Sequence, residues 1–335
     1  MAITKDDTTF IKGLAISFML WHHLFLRTDD YGVLAQNLSV FMKICVAFFL
    51  FVSGYGLTKQ YSKISDKGFR ATLSFVLTRY AKFFLAYWFC MILVMAVGNL
   101  CGYTIYDAYP EGRNIFKCLL FDVMGIFGYD SYLSTWWFNK LIIQLYLVFP
   151  ILYQLVRNKW VAVAALLAIL VIEQSSCVNV FCVVEGGVLT FFLGMLLAKW
   201  NFSMSNRWVE LAVSLALIIA LTIVRFRMPV IRYTIVDGFI VIAVVNVLMF
   251  VKEFYSFPIL HFIGQYATIM YLTHTLIQIL LGQWLFALKY AVVVYLSFMA
   301  ISLLVAMFVS QLQKWCKYDL LQKWAVGKIR HVIEK

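Results

Sequence analysis

Residues 10–26 read FIKGLAISFMLWHHLFL, an apolar run with one basic residue near its start, Lys12, and two histidines near its end, His22 and His23. Its length and apolarity predict a membrane-spanning helix. Eleven residues at about 100° each make roughly three turns, so Lys12 and His23 share a face about 16 Å apart along the axis. His22 points about 100° away from that face. A cation thus stands at one membrane surface with an imidazole above it near mid-bilayer. Ionisable residues inside a span are costly and are functional candidates by default; the structural alternative is that both histidines hydrogen-bond to neighbouring helices.

The rest of the chain follows the same pattern. Of 335 residues, 64% are hydrophobic and 13% charged. The charged share is about half that of a soluble domain. No single soluble core buries so much apolar surface, which predicts an all-α polytopic membrane bundle. About ten spans are expected, near 10–28, 38–58, 80–101, 135–156, 160–173, 180–199, 209–225, 234–251, 260–281 and 291–312. Residues 1–313 form the membrane domain, and residues 314–335 an amphipathic cytoplasmic tail that mixes Trp315, Leu320, Trp324 and Ile329 with lysines. Such a tail suits the anionic inner leaflet, so membrane lipids are its expected partner.

The net charge of +12 comes from basic residues lying between apolar runs. This points to positive-inside loops rather than to nucleic acid. With both termini inside, only Arg27, Arg113, Lys117, Arg225, Arg227, Arg232 and Lys289 fall on outer segments, and Lys43 and Lys140 fall within spans. The seven cysteines form no CxxC pair and most lie in or beside apolar runs, so they read as packing residues. No cleavage site follows the first run, which reads as an uncleaved span.

Several polar residues stand where a bilayer disfavours them. Ser53-Gly54-Tyr55 in the second span is first a close-packing feature, with the Ser53 hydroxyl as a possible ligand group. Arg79 and Lys82 share a face at the start of the third span, either as a topological anchor or as a basic pair at the depth of Lys12. Lys140 lies one turn inside the fourth span, snorkelling outward or facing a polar cavity, with Gln144 one turn deeper. Glu185 in the sixth span needs a partner, and His274 in the ninth is a further buried imidazole, read first as a structural hydrogen-bonding group. Arg225, Arg227 and Arg232 make an outer loop unusually basic, which reads as contact with lipid headgroups, as a miscounted span that really puts the loop inside, or as a grip on an anionic acceptor. The longest outer loop, about 102–134, has an apolar run too short to span, which lies on the membrane or over the bundle. Adjacent histidines without a carboxylate at ligand spacing argue against a metal.

These motifs together resemble acyltransferase family 3. Lys12, ten residues and His23 are similar to its first-helix pattern, and Phe48 to Tyr55 to its FF-x-x-SG-aromatic segment. Arg79 to Lys82 resembles its basic pair, Trp137-Phe138 through Tyr146 to Pro150 its WF…Y…P segment, and Gly264 through Tyr271 to His274 its G…Y…H segment. Lysine at positions 12 and 82, where many members have arginine, keeps the charge but loses the bidentate fork. The resemblance implies acyl transfer from acyl-coenzyme A, with acetyl-coenzyme A as expected donor, to a hydroxyl of a cell-surface glycan or lipid-linked sugar. It implies a bacterial inner-membrane enzyme; the chain is expected to lack the extracytoplasmic esterase-like domain of some members. Lys12, Arg79 and Lys82 would then hold the coenzyme A phosphates, His23 would act as general base or acyl carrier with His22 as its understudy, and Ser53 or Tyr55 would polarise the thioester. Arg225, Arg227, Arg232, Lys140, Gln144 and His274 are the residues left for the acceptor. The competing class is a transporter or flippase of a polar glycan or acid, which ten spans with buried polar groups also fit.

Overall fold

The computed structural model describes residues 3–26, 28, 30–65, 67–109, 111–125, 130–175, 187–200, 205–228 and 230–334, the last by its backbone alone. Arg27, Cys177, Cys182, Glu185, Gly186 and Lys335 lie outside them. The described chain is all-α, with no strand. In order the helices are α1 (Lys5–Phe25), α2 (Gly32–Met42), α3 (Cys45–Tyr61), α4 (Phe69–Leu100), α5 (Ile105–Ala108), α6 (Ile115–Met124), α7 (Trp137–Leu155), α8 (Lys159–Gln174), α9 (Val188–Trp200), α10 (Arg207–Arg227), α11 (Tyr233–Val251), α12 (Pro258–Phe286), α13 (Ala291–Trp315) and α14 (Tyr318–Glu334). A single 3-10 turn, Ser134–Trp136, leads into α7.

Each of the ten expected spans meets a helix, but among the described residues seven segments are long and apolar enough to cross a bilayer: Gly32–Tyr61, Phe69–Leu100, Ser134–Leu155, Arg207–Arg227, Tyr233–Val251, Pro258–Phe286 and Ala291–Trp315. α1 is not among them, because Lys12, His22 and His23 dilute its apolar content. α8 and α9 have only 16 and 13 residues. A bilayer core needs about 20 helical residues. The long helices present apolar side chains outward: Val209, Val213, Leu217, Ile219 and Ile223 on α10 are exposed, as lipid-facing residues must be.

The chain forms two compact units. The first comprises Met1–Met19, Phe41–Ile64 and Phe149–Gln265. Glycines let its helices touch backbone to backbone. A Cβ on Gly54 would collide with the Phe191 carbonyl, and one on Gly194 with the Phe51 carbonyl, so α3 and α9 meet through reciprocal glycines. Gly13 and Gly264 do the same where α1 meets the start of α12, against the Leu260 and Thr9 carbonyls. The packing reading of Ser53-Gly54-Tyr55 is therefore correct for Gly54. Phe48, Phe51, Tyr55, Ile240 and Val241 fill the core beside these crossings.

The second unit comprises Leu20–Val40, Ser65–Val148 and Tyr266–Lys335. The outer loop expected at 102–134 is built around Asp122. This buried carboxylate at the end of α6 accepts from the Tyr132 amide (2.6 Å) and the Tyr109 hydroxyl (3.0 Å), and pairs with Lys140 at 3.1 Å. The apolar run at its centre becomes the ten-residue α6, with its C-terminus closed by left-handed Gly125. α14 packs along α4, with the Tyr318 ring 5.9 Å from that of Phe89.

Candidate functional site

The second unit gathers three imidazoles. His22 and His23 end α1, and His274 sits midway along α12. The His23 ring lies 5.1 Å from the His22 ring and 5.1 Å from the His274 ring. The three differ in what holds them. His22 is 6% exposed, its Nδ1 is 2.8 Å from the Ser39 carbonyl, and the Ser39 hydroxyl donates back to the His22 carbonyl. A ring nitrogen facing a carbonyl must carry the proton, so His22 donates and clamps α1 to α2. His274 is wholly buried, with Nδ1 2.8 Å from the Tyr271 carbonyl and 3.2 Å from that of Met270. It too is protonated on Nδ1, leaving Nε2 as acceptor, 3.3 Å from the Thr275 hydroxyl. His23 is the half-buried member of the three.

The surroundings of His274 are fixed by polar contacts that the sequence did not single out. The Thr275 and Thr135 hydroxyls are 2.7 Å apart, the Tyr271 hydroxyl donates to the Thr135 carbonyl (2.8 Å), and Trp136 Nε1 donates to the Leu272 carbonyl (3.2 Å). Gln278 Nε2 donates to the His23 carbonyl (3.0 Å) and ties the end of α1 to α12. The signal for Gln278 was its place four residues after His274, on the same helical face.

A second cluster in this unit is cationic. Arg79 and Lys82 are half-buried on α4, and Arg79 lies over the Phe75 ring at 5.3 Å. Its Nε is buried without a hydrogen-bond partner among the described residues. Tyr146 and, on α14, Arg330 lie within electrostatic range of Arg79. Arg330 went unnoticed because a tail rich in lysine and arginine reads as an anchor.

Other assigned residues have internal work. Lys140 does not snorkel outward: its buried ammonium pairs with Asp122 and donates to the Asp130 carbonyl (3.0 Å). Arg225 pairs with Asp237 at 2.5 Å, both side chains under 5% exposed, within 6 Å of the Phe41, Phe226 and Tyr233 rings. The loop is thus less basic than its sequence suggests, and Arg225 is turned inward. Arg227 is exposed, and the Arg232 amide donates to Gln174 (3.2 Å). The Tyr55 hydroxyl accepts from the Ile3 amide (2.9 Å), which pins the N-terminus. Ser53 and Gln144 are half-buried without such contacts among the described residues. Lys12 is half-buried on α1, and the unbroken helix Lys5–Phe25 carries both it and His23. The first unit also has an apolar cavity lined by Leu193, Leu197, Leu217, Phe239 and Ile242, with Lys159 and Glu210 at its polar margin; none of the assigned residues lines it.

A family model described as an acyltransferase domain, that of acyltransferase family 3, matches residues 8–311. The chain belongs to acyltransferase family 3. The match runs from the first turn of α1 almost to the end of α13, so both histidine-bearing helices and the α4 basic pair lie inside it. No curated protein and no solved structure matches the chain. Family membership together with the seven apolar helices makes it an integral membrane acyltransferase. Among the described helices, α14 is the one that lies wholly beyond the matched residues.

Proposed function

We propose that this acyltransferase takes an acyl group, acetyl, from acyl-coenzyme A and places it on a hydroxyl of a cell-surface polysaccharide or lipid-linked sugar, with His23 as general base. The observation that carries the reading is the histidine cluster: His22 and His274 have their Nδ1 protons committed to carbonyls, and His23 is the more exposed imidazole between them. A neutral imidazole takes the acceptor's hydroxyl proton as its oxygen attacks the thioester carbon. The tetrahedral intermediate collapses by breaking the carbon–sulfur bond. The thiolate leaves and recovers the proton from the His23 imidazolium, so the enzyme is regenerated. His274 stands against His23 and supports its orientation.

The family pattern offers Lys12, Arg79 and Lys82 to the donor's phosphates. Phosphate oxygens suit such charge-assisted contacts, with arginine favoured where two oxygens are bound at once. The excess of basic residues on alternate segments supports a multi-pass inner-membrane protein with both termini cytoplasmic. Arg227 and Arg232 remain the candidates for an anionic acceptor; Arg225 is withdrawn, since Asp237 occupies it.

The test is transfer of labelled acetyl from acetyl-coenzyme A by reconstituted protein, with a cell-envelope extract as acceptor. Label should appear in glycan with wild type and be lost with His23→Ala. Wild-type turnover in His23→Ala would end the assignment, and absence of any acetyl-coenzyme A consumption would end the donor assignment.

A further inference from the structure

α14 packs on α4 through one stripe. Tyr318 is buried, and Gln322, Ala325, Val326 and Ile329 are half-buried at the spacing of a single helical face. Leu320, Leu321, Trp324 and Val332 stay exposed on the remaining surface. The two helices run antiparallel: Tyr318 meets Phe89, and Arg330, between the packed positions Ile329 and Ile333, comes within electrostatic range of Arg79 and Lys82. Half-buried Arg79 and Lys82 and exposed Arg330 thus lie on the same stretch of the α4–α14 pair. Among the described residues no carboxylate pairs with Arg79 or Lys82, and the buried Nε of Arg79 has no acceptor there. A phosphate among them would supply the acceptor that the Arg79 Nε lacks among the described residues and would offset the mutual repulsion of the three charges. The ligand must bring several oxygens at once, since guanidinium forks bind planar pairs of acceptors.

We infer that Arg330 on the C-terminal helix completes, with Arg79 and Lys82, a three-cation site for a phosphate group. The phosphate is that of acyl-coenzyme A, in which case the inference rests on the donor reading above, or that of an anionic lipid headgroup. Either way α14 is a wall of the site and its docking on α4 is part of binding.

The experiment uses the full chain in nanodiscs of zwitterionic lipid, with and without phosphatidylglycerol. Binding of coenzyme A is measured by calorimetry and lipid retention by native mass spectrometry, for wild type, Arg330→Gln, Arg330→Lys and the exposed control Lys323→Gln. A lost charge-assisted contact weakens binding by about tenfold or more. The expected result is that loss for coenzyme A in Arg330→Gln, partial recovery in Arg330→Lys and wild-type affinity in Lys323→Gln. If coenzyme A affinity is unchanged but Arg330→Gln loses bound phosphatidylglycerol, the site stands with lipid as its source. Unchanged coenzyme A affinity and unchanged lipid retention overturn the inference. Failure of wild type to bind coenzyme A in either disc instead overturns the donor reading, and lipid retention then decides the site by itself.

Discussion

The imidazoles of His23 and His274 lie 5.1 Å apart, centroid to centroid, with their planes 38° from parallel. They come from opposite ends of the chain, on α1 and α12, and the Gln278 side chain hydrogen-bonds the His23 carbonyl from the same helix that carries His274.

His23→Ala should lower transfer by about a hundredfold or more, the usual worth of a general base. His22→Ala should act differently. It leaves the buried Ser39 carbonyl without its donor and costs on the order of 1–3 kcal/mol of stability. The folded fraction should keep at least part of its activity. Thermal unfolding and initial rates on the same preparations separate the two; equal, full activity in both variants would end the distinction.

Arg79→Ala and Lys82→Ala should raise the KM for acyl-coenzyme A by about tenfold while leaving that for the acceptor nearly unchanged, because each removes a charge-assisted phosphate contact. Steady-state kinetics with each substrate varied in turn checks this. An unchanged donor KM would make the pair topological anchors.

Arg225→Ala strands Asp237 in a site where both side chains are under 5% exposed. Removing one partner of such a pair costs about 3–5 kcal/mol, whereas replacing both by apolar residues is close to neutral. Arg225→Ala should therefore express poorly, and Arg225→Leu with Asp237→Leu should recover. Arg227→Ala, on an exposed side chain, should leave the melting temperature unchanged and report only on acceptor use.

Glycine substitutions should carry opposite signs. A methyl on Gly54 meets the Phe191 carbonyl backbone, so Gly54→Ala should destabilise by about 1–3 kcal/mol. Gly327 in α14 has nothing within 4 Å of a new Cβ, so Gly327→Ala should stabilise by about 0.5–1 kcal/mol through helix propensity. Denaturation of both variants in one detergent tests the pair, and a destabilised Gly327→Ala would contradict this surface for α14.

Asp7, ahead of the apolar run of α1, is buried, which works against its charge. Lys252 and the Thr4 side chain and amide nonetheless hold it below its ordinary value. A carboxyl with a depressed native value stabilises the fold above its unfolded value, near 3.9, and that contribution is lost as pH falls through the native value. Wild type should thus lose stability below about pH 4 relative to Asp7→Asn, whose stability should vary less there. Parallel melting curves from pH 6 to pH 3 would show the gap closing; a constant gap would remove Asp7 as its source.

The sequence by itself determined the class, the helices and the family. Hydrophobic runs long enough to span a bilayer are local facts, because in lipid each segment must satisfy its own backbone hydrogen bonds. The spacing of Lys12 and His23 follows from helix geometry once α1 is unbroken, and Gly54 was legible as a packing residue since only glycine lets helix backbones touch. What the sequence could not decide was which charges were already spent. Lys140 and Arg225 read as free cations because their partners, Asp122 on α6 and Asp237 on α11, sit on other helices. His22 and His23 are neighbours in sequence and equal in chemistry. Only folding gives one a backbone carbonyl on α2 and sets the other against His274. Arg330 likewise comes within electrostatic range of Arg79 only when α14 is laid along α4. Pairing energies depend on distance and desolvation across elements far apart in the chain, and those are set by tertiary packing alone.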